Sequence, residues 1–268
     1  MTRLSATSIH DEPGAGPSLS NEQQRVVDHH DGALLVFAGP GSGKTRTLTA
    51  RVAGLITARG VSPRQILALT FTVRATEELR VRLTALIGHA AACAVTVATF
   101  HALGARILRQ HAAAFGRTSA FSIYDSDDVL RLIRDAATDP DPSASGGITP
   151  DLARDALAEI ERAKSALWTS TMLRVYAQHP DREQIAAIWE TVEQRMRASN
   201  AFDFADLVAN SVALLTGDRL ARSRFRSRWR HVVVDEFQDT DHAQCTLLAR
   251  LAGPSGGAPG GSLVVAGD

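Results

Sequence analysis

Lysine is nearly missing from this 268-residue chain. Lys44 and Lys164 are the only two, and the rest of its 29 basic side chains are arginine. With alanine abundant, that reads as GC-rich coding rather than as function. Net charge is missing too, with 29 basic against 29 acidic residues. No global field therefore draws in a polyanion, and any nucleic-acid surface has to be a local patch. Cysteine is scarce. Cys93 and Cys245 form no metal-ligand spacing and no disulfide framework, so two buried thiols of a cytoplasmic protein are expected. No stretch of 18 apolar residues is there to cross a membrane, and no basic-then-apolar leader is visible.

What is there is enough apolar material, 44% of the residues, for a globular core. Residues 1–18 are polar and carry Pro13, Gly14, Gly16 and Pro17, which predicts a disordered tail.

The chain is organised around residues 33–46, ALLVFAGPGSGKTR. Leu34 to Phe37 reads as a buried strand, and Gly43-Lys44-Thr45 opens a helix. Between them Ala38, Gly39, Pro40, Gly41 and Ser42 form a loop whose backbone N–H groups can turn inward around phosphate oxygens. Ala38 stands where the usual pattern has glycine. Lys44 adds a point charge at the β/γ-phosphates, and the Thr45 hydroxyl is placed to ligate Mg²⁺. The helix N-terminus adds its own partial positive charge. A phosphate-binding loop for a nucleotide such as ATP follows.

Around it, short apolar strands alternate with amphipathic helices. A helix is predicted from Leu19 to Asp28, with Ser20 and Gln23 spaced as a capping box. Helix Thr45–Arg59 follows the loop. Strand Ile66–Leu69 leads through Thr70-Phe71-Thr72 into helix Arg74–Ile87. Strand Ala94–Ala98 leads through Thr99-Phe100-His101 into a helix ending near Gln110. That alternation predicts an α/β fold with a parallel sheet covered by helices. From Ala112 to Asn200 no strand is evident. Helical periodicity there, around a Pro/Gly/Ser loop at 138–149, predicts an all-helical insertion. Six arginines crowd the stretch from Arg219 to Arg230, either as a solvated face or as a DNA-facing patch. Strand 231–234 and strand 262–266 complete the expected sheet.

Strand His231–Val234 ends in Asp235-Glu236-Phe237-Gln238. In a parallel sheet this puts two carboxylates on the edge that carries the phosphate loop. Asp235 can hold Mg²⁺. Glu236 is placed to orient and deprotonate a water attacking the γ-phosphorus, while Lys44 neutralises developing charge.

These motifs together resemble the superfamily 1 DNA helicases of the UvrD/Rep/PcrA type, over about residues 19–110 and 200–268. LSNEQQRVV resembles that family's adenine-reading motif, which moves Gln23 from a helix cap to the base. AGPGSGKTR is similar to its phosphate loop, with Arg46 against the base. LTFTVRATEEL, ATFHALGARILR, FDFADLV, VVVDEFQDTDHAQ and SLVVAGD resemble further family segments; Val73 and Arg74 depart from the usual Asn-Lys, and Ala102 from Ser.

The resemblance implies a RecA-like domain in two parts, residues 19–111 and 201–268, with the insertion at 112–200. It implies ATP-driven 3′→5′ translocation on single-stranded DNA and unwinding at duplex junctions, in repair or recombination. Phe71 would stack on a base, and Thr70, Thr99 and His101 would line the track. Phe71 and Phe100 each have core packing as the plainer role. Gln238 would sense the γ-phosphate. The family also uses a second RecA-like domain, so this chain is expected to be an N-terminal portion that does not unwind DNA alone. Two other readings stand beside it: a nucleotide- or DNA-binding module without turnover, and another phosphate-loop enzyme such as a kinase.

Overall fold

The structure is a computed structural model that describes residues 19–137, 149–253 and 261–268. The expected tail at 1–18 and most of the two expected loops, 138–149 and 253–261, lie outside the described residues.

The chain opens with α1 (Asn21–Asp28), β1 (Gly32–Phe37) and α2 (Lys44–Thr57). Next come β2 (Ile66–Thr70), α3 (Val73–Ile87), the short α4 (His89–Ala94), β3 (Thr96–Thr99) and α5 (Phe100–His111). After β4 (Ser122–Tyr124) run α6 (Ser126–Ala137), α7 (Pro150–Ser165), α8 (Ser170–Tyr176) and α9 (Arg182–Ala198). The last stretch holds β5 (Ala201–Asp203), α10 (Phe204–Gly217), α11 (Arg219–Arg228), β6 (His231–Val234), α12 (His242–Ala252) and β7 (Ser262–Gly267).

Five strands form one all-parallel sheet in the order β1-β7-β6-β2-β3. Period-two alternation sorts its side chains. Ile66, Ala68, Val233 and Val264 meet Leu48, Val52 and Leu55 of α2 and Leu79 and Leu83 of α3 on one face. Leu67, Leu69, Val232 and Val234 meet Phe100, Leu103, Val212, Phe225 and Leu247 on the other, under α5, α10, α11 and α12. Helices on both faces are what an all-parallel sheet demands. Gly104 lets α5 and α10 approach closely: a Cβ there would lie 2.3 Å from the Leu207 carbonyl oxygen.

Several expectations are corrected. The run Leu34–Phe37 is an edge strand, not a buried one, and Leu35 and Phe37 are 63% and 79% exposed. Four adjacent apolar residues look alike at the centre and at the edge of a sheet. Cys93 is exposed and Cys245 half-buried, so neither is a fully buried thiol. The arginine-rich stretch is a helix, α11, capped by Asp218, whose carboxylate accepts from the Leu220 and Ala221 N–H groups.

The segment between β3 and β5 is not purely helical. β4 pairs in parallel with β5, so the points where the chain leaves and rejoins the main layer lie side by side. Arg117 fixes that junction. Its guanidinium donates to the Ala201 and Phe115 carbonyls at 2.7 and 3.0 Å, pairs with Glu193 at 3.0 Å and lies over the Phe202 ring. Helices α6, α7, α8 and α9 close around their own core of Val129, Ile133, Ile160, Leu173, Ile188 and Val192. Trp189 and Met196 belong to it.

One buried cluster joins this helical unit to the main layer. Lys164 on α7 reaches the carboxylates of Asp203 and Asp206 at 2.6 and 2.7 Å. The same two aspartates cap α10 reciprocally. Burial, the largest influence, raises the Asp206 carboxyl despite Lys164, because one ammonium serves two buried carboxylates. The ammonium of Lys164 is held in its charged form by both of them against burial.

Arg51 is another buried anchor. It donates to the Val26 and His29 carbonyls at 2.9 and 2.7 Å and to the Ser262 hydroxyl at 3.0 Å. This holds α1, which buries no residue of its own, against α2 and β7.

Candidate active site

The phosphate loop leaves the C-terminal end of β1 and turns at Gly41 and Gly43, whose φ values are +75° and +86°. Both lie in the left-handed region that favours glycine. Gly43 is also crowded: a Cβ would stand 3.0 Å from the Gln23 amide nitrogen. Ser42 N–H donates to the Gly39 carbonyl at 3.3 Å and closes the turn. A cavity of about 660 Å³ opens over Pro40 to Arg46, with Arg82, Glu236 and Asp268 on its other side. The N-terminus of α2 points its unsatisfied N–H groups there, which suits an anion.

Five contacts close a ring around this cavity. The Thr45 hydroxyl donates to Asp235 at 2.6 Å. Asp235 accepts from the Glu236 N–H at 3.2 Å. Glu236 accepts from the Gln238 side-chain amide at 2.7 Å. Gln238 in turn accepts from the Asp268 N–H at 3.2 Å. Finally, the Asp268 carboxylate contacts the Lys44 ammonium, which also donates to the Ala38 carbonyl at 2.8 Å. Asp268 thus stands in for a phosphate oxygen at Lys44. The sequence marked the end of β7 as a place for functional residues but assigned Asp268 no role.

Glu236 is set at φ +54°, ψ +48° between β6 and a short 3₁₀ turn. A non-glycine residue there costs of order 1 kcal/mol, and such strain clusters at functional sites. It turns the carboxylate off the strand direction and into the cavity wall.

Asp235 is buried, and burial raises its carboxyl above the usual range; the Thr45 hydrogen bond opposes this, and the charge of Glu236 adds to it. A carboxylate in that position is short of positive charge. Its donor set with Thr45, one carboxylate and one hydroxyl, consists of hard oxygens and fits Mg²⁺ shared with phosphates. Among the described residues no group of three or more His, Cys, Asp or Glu gathers into an all-protein metal cage.

Gln23 does two things. Its carbonyl accepts from the Ser20 N–H at 2.9 Å, completing the capping box. Its amide donates to the Ser42 carbonyl at 3.0 Å, tying α1 to the phosphate loop. Arg46 is half-buried in the cavity wall. Arg82, on α3, faces the same cavity, and the sequence reading missed it; no local pattern distinguishes it from the other exposed arginines of that helix.

The β2-to-α3 and β3-to-α5 junctions lie side by side, with Thr70 and Thr99 in register. They are built differently. Thr99 itself caps α5, accepting from the Ala102 N–H, so Phe100 is the first helical residue and points into the core, 2% exposed. On β2 the cap comes two residues later, at Thr72, and Phe71 is left outside, 44% exposed. Thr70 departs from the track expected for it. It is buried, and its hydroxyl contacts the Thr72 carbonyl and the Thr76 hydroxyl at 3.1 and 2.7 Å, shaping the turn beneath Phe71. His101 is half-buried, and burial holds its imidazole below the usual range. Its ring meets the exposed Phe204 edge-on at 5.6 Å. Phe204 stands in the FDFADLV segment, to which the sequence reading gave no role in the site.

Beyond this geometry, the chain matches the model of the UvrD/REP helicase N-terminal domain over residues 19–268. It is 39% identical over 267 residues to a protein of Mycobacterium tuberculosis (strain ATCC 25618 / H37Rv) named ATP-dependent DNA helicase UvrD1, covering 96% of this chain and 34% of that one. It is 34% identical to the ATP-dependent DNA helicase PcrA of Leuconostoc citreum, covering 87% of this chain and 31% of that one. To the ATP-dependent DNA helicase Rep of Escherichia coli (strain K12) it is 32% identical, with 88% and 34% covered. The chain therefore spans about a third of the length of the curated relatives it matches. With a phosphate loop, an Asp-Glu strand end and two Thr-Phe junctions on one sheet edge, and a family match running from residue 19 to residue 268, the chain belongs to the UvrD/REP helicase N-terminal domain family.

Proposed function

We propose that this chain is the ATP-binding and ATP-hydrolysing part of a 3′→5′ DNA helicase that acts on single strands and duplex junctions in the cytoplasm, in repair or recombination. Residues 19–111 and 201–268 make up the motor layer, residues 112–200 the inserted subdomain, and a second RecA-like domain completes the nucleotide site in the whole protein. The observation that carries this reading is the ring from Thr45 through Asp235, Glu236, Gln238 and Asp268 to Lys44.

ATP enters with its phosphates over Gly39 to Gly43 and displaces the Asp268 carboxylate from Lys44. Thr45 and Asp235 would hold Mg²⁺, which would supply charge neutralisation to the phosphates. Glu236 orients a water toward the γ-phosphorus and takes its proton as the P–O bond to the ADP leaving group breaks. Gln23 and Arg46 are at the base end. Gln23 uses one N–H on Ser42 and one lone pair on Ser20, which leaves one donor and one acceptor for adenine.

Gln238 hydrogen-bonds both Glu236 and Asp268, so a phosphate that moves either one moves Gln238. Phe71, Thr99, His101 and Phe204 lie on the adjoining strand ends and form the DNA-facing side, with Phe71 offering a stacking surface. The test is ATP hydrolysis by the purified protein with and without single-stranded DNA. Stimulation by DNA is expected. ATP binding with no hydrolysis under either condition would favour a nucleotide-binding module instead.

A further inference from the structure

At the opposite end of the sheet from the phosphate loop, three arginines converge. Arg64 lies in the short 3₁₀ turn that precedes β2. Arg106 is on the exposed side of α5, and Arg228 is the last residue of α11. Together with Cys93 and Thr96 they line a recess of about 410 Å³ that contains no aspartate or glutamate. These positions sit where β2, β3 and β6 begin, whereas the phosphate loop and Phe71 sit where strands end. The two sites are thus about a strand length apart, roughly 15 Å.

Among the described residues the charges in this recess meet no counter-charge. Among the described residues no carboxylate pairs with Arg64, Arg106 or Arg228 in the ion pairs. Arg106 is held below the usual arginine range by burial first and then by Arg228. Arg222 and Arg226 donate to the Leu215 and Arg250 carbonyls at 2.6 and 2.7 Å, whereas Arg228 lies over the Trp229 ring at 5.5 Å, which leaves its N–H groups for an oxyanion. The Thr96 hydroxyl accepts from the Trp229 indole at 3.1 Å and keeps its own proton to give. Like charges gathered without a counter-charge repel one another. An oxyanion relieves that repulsion, and guanidinium forks fit phosphate oxygens in particular.

We propose that this recess is a second phosphate site, which takes a phosphodiester of a nucleic-acid strand other than the stretch held at Phe71. The exposed Arg224, one helical turn before Arg228, extends the positive row by roughly 5 Å. The charge therefore outruns a single oxyanion and suits a polyanion. The choice of nucleic acid as that polyanion rests on the motor reading above; the phosphate chemistry does not.

The test compares the full-length protein with its R64Q/R106Q/R228Q variant, after confirming equal melting temperatures. In the wild type, a long single-stranded oligonucleotide is expected to slow alkylation of Cys93, read by peptide mass, and in the variant it is not. The slope of log K against log[salt] should become shallower by about 2 for three lost single-strand contacts. The matching R→K variant should restore it. ATP hydrolysis saturated with a short oligonucleotide should be unchanged. An unaltered salt slope together with unprotected Cys93 would overturn the proposal. Protection by inorganic phosphate or by an acidic protein, but not by the oligonucleotide, would overturn the nucleic-acid assignment. Failure of DNA to stimulate ATP hydrolysis counts against the motor reading instead, since Cys93 protection is read without turnover.

Discussion

The hydroxyl of Thr45 and the carboxylate of Asp235, 190 residues apart in sequence, meet at 2.6 Å. Thr45 lies in the first turn of α2 and Asp235 directly follows β6, so the sheet and the phosphate loop together bring them into contact. Both carry hard oxygens of the kind Mg²⁺ prefers, so the proposed metal would replace their mutual hydrogen bond. Asp235→Asn should therefore keep nucleotide affinity measured without Mg²⁺, while Mg²⁺-dependent ATP turnover falls on the order of 100-fold or more. Turnover with normal Mg²⁺ dependence would remove Asp235 from the metal site.

Glu236→Gln separates binding from chemistry. The amide keeps a hydrogen-bonding partner for Gln238 and the shape of the strained turn but accepts no proton. ATP hydrolysis should fall roughly 10²–10⁴-fold with ATP affinity nearly unchanged. Fluorescent-nucleotide titration beside single-turnover hydrolysis checks both. Equal turnover would point to another base.

The two phenylalanines at the adjoining junctions should behave as opposites. Phe71→Ala should weaken single-strand binding by about 1–3 kcal/mol and leave the melting temperature nearly unchanged. Phe100→Ala empties part of the core and should cost about 3–5 kcal/mol of stability. Anisotropy and urea unfolding of both variants distinguish the roles. A stability loss for Phe71→Ala equal to that of Phe100→Ala would make Phe71 a core residue.

Lys164 is the ammonium of a buried cluster. Lys164→Ala strands two buried carboxylates and should cost about 3–5 kcal/mol, whereas K164M/D203N/D206N removes the charges together and should recover most of that loss. Urea midpoints of the two variants provide the check.

Acid should weaken the fold through His231 and His101. His231 shares the Ser262 hydroxyl with Arg51, and its imidazole is held below 6.5 by burial first and by Arg51 next, with Asp31 opposing. His101 is lowered by burial, against Asp241. Their contribution is complete above pH 6.5. It is lost as pH falls through the lowered folded-state values, because the unfolded chain takes up protons first. Unfolding midpoints measured on either side of pH 6.5 should show a drop in the wild type and a smaller one in His231→Gln.

The phosphate loop, the Asp235-Glu236 strand end and the parallel alternation were legible because each combines local pattern with fixed chemistry. What escaped depends on neighbours distant in sequence. Leu34 to Phe37 reads the same whether one or two strands flank it. Thr70 and Thr99 sit in matching motifs, and only the position of the helix cap decides which phenylalanine is exposed. Arg82 reaches the cavity because α3 brings it there, and nothing in its own sequence context says so; Phe204 sits in a recognisable segment, but its ring contact with His101 could not be read from it. Gln23 was read first as a cap and then as a base reader; its cap is intact in the structure, and it is tied to the loop as well.

The edge position of β1 has a practical consequence. Among the described residues no strand pairs with the outer side of β1, and a strand of that kind with two large apolar side chains in water is a template for another copy. Preparations of this chain should grow turbid as they are concentrated, and an Arg or Glu at Leu35 should delay that. Rates measured on it describe single molecules only over the range where they rise in proportion to protein concentration.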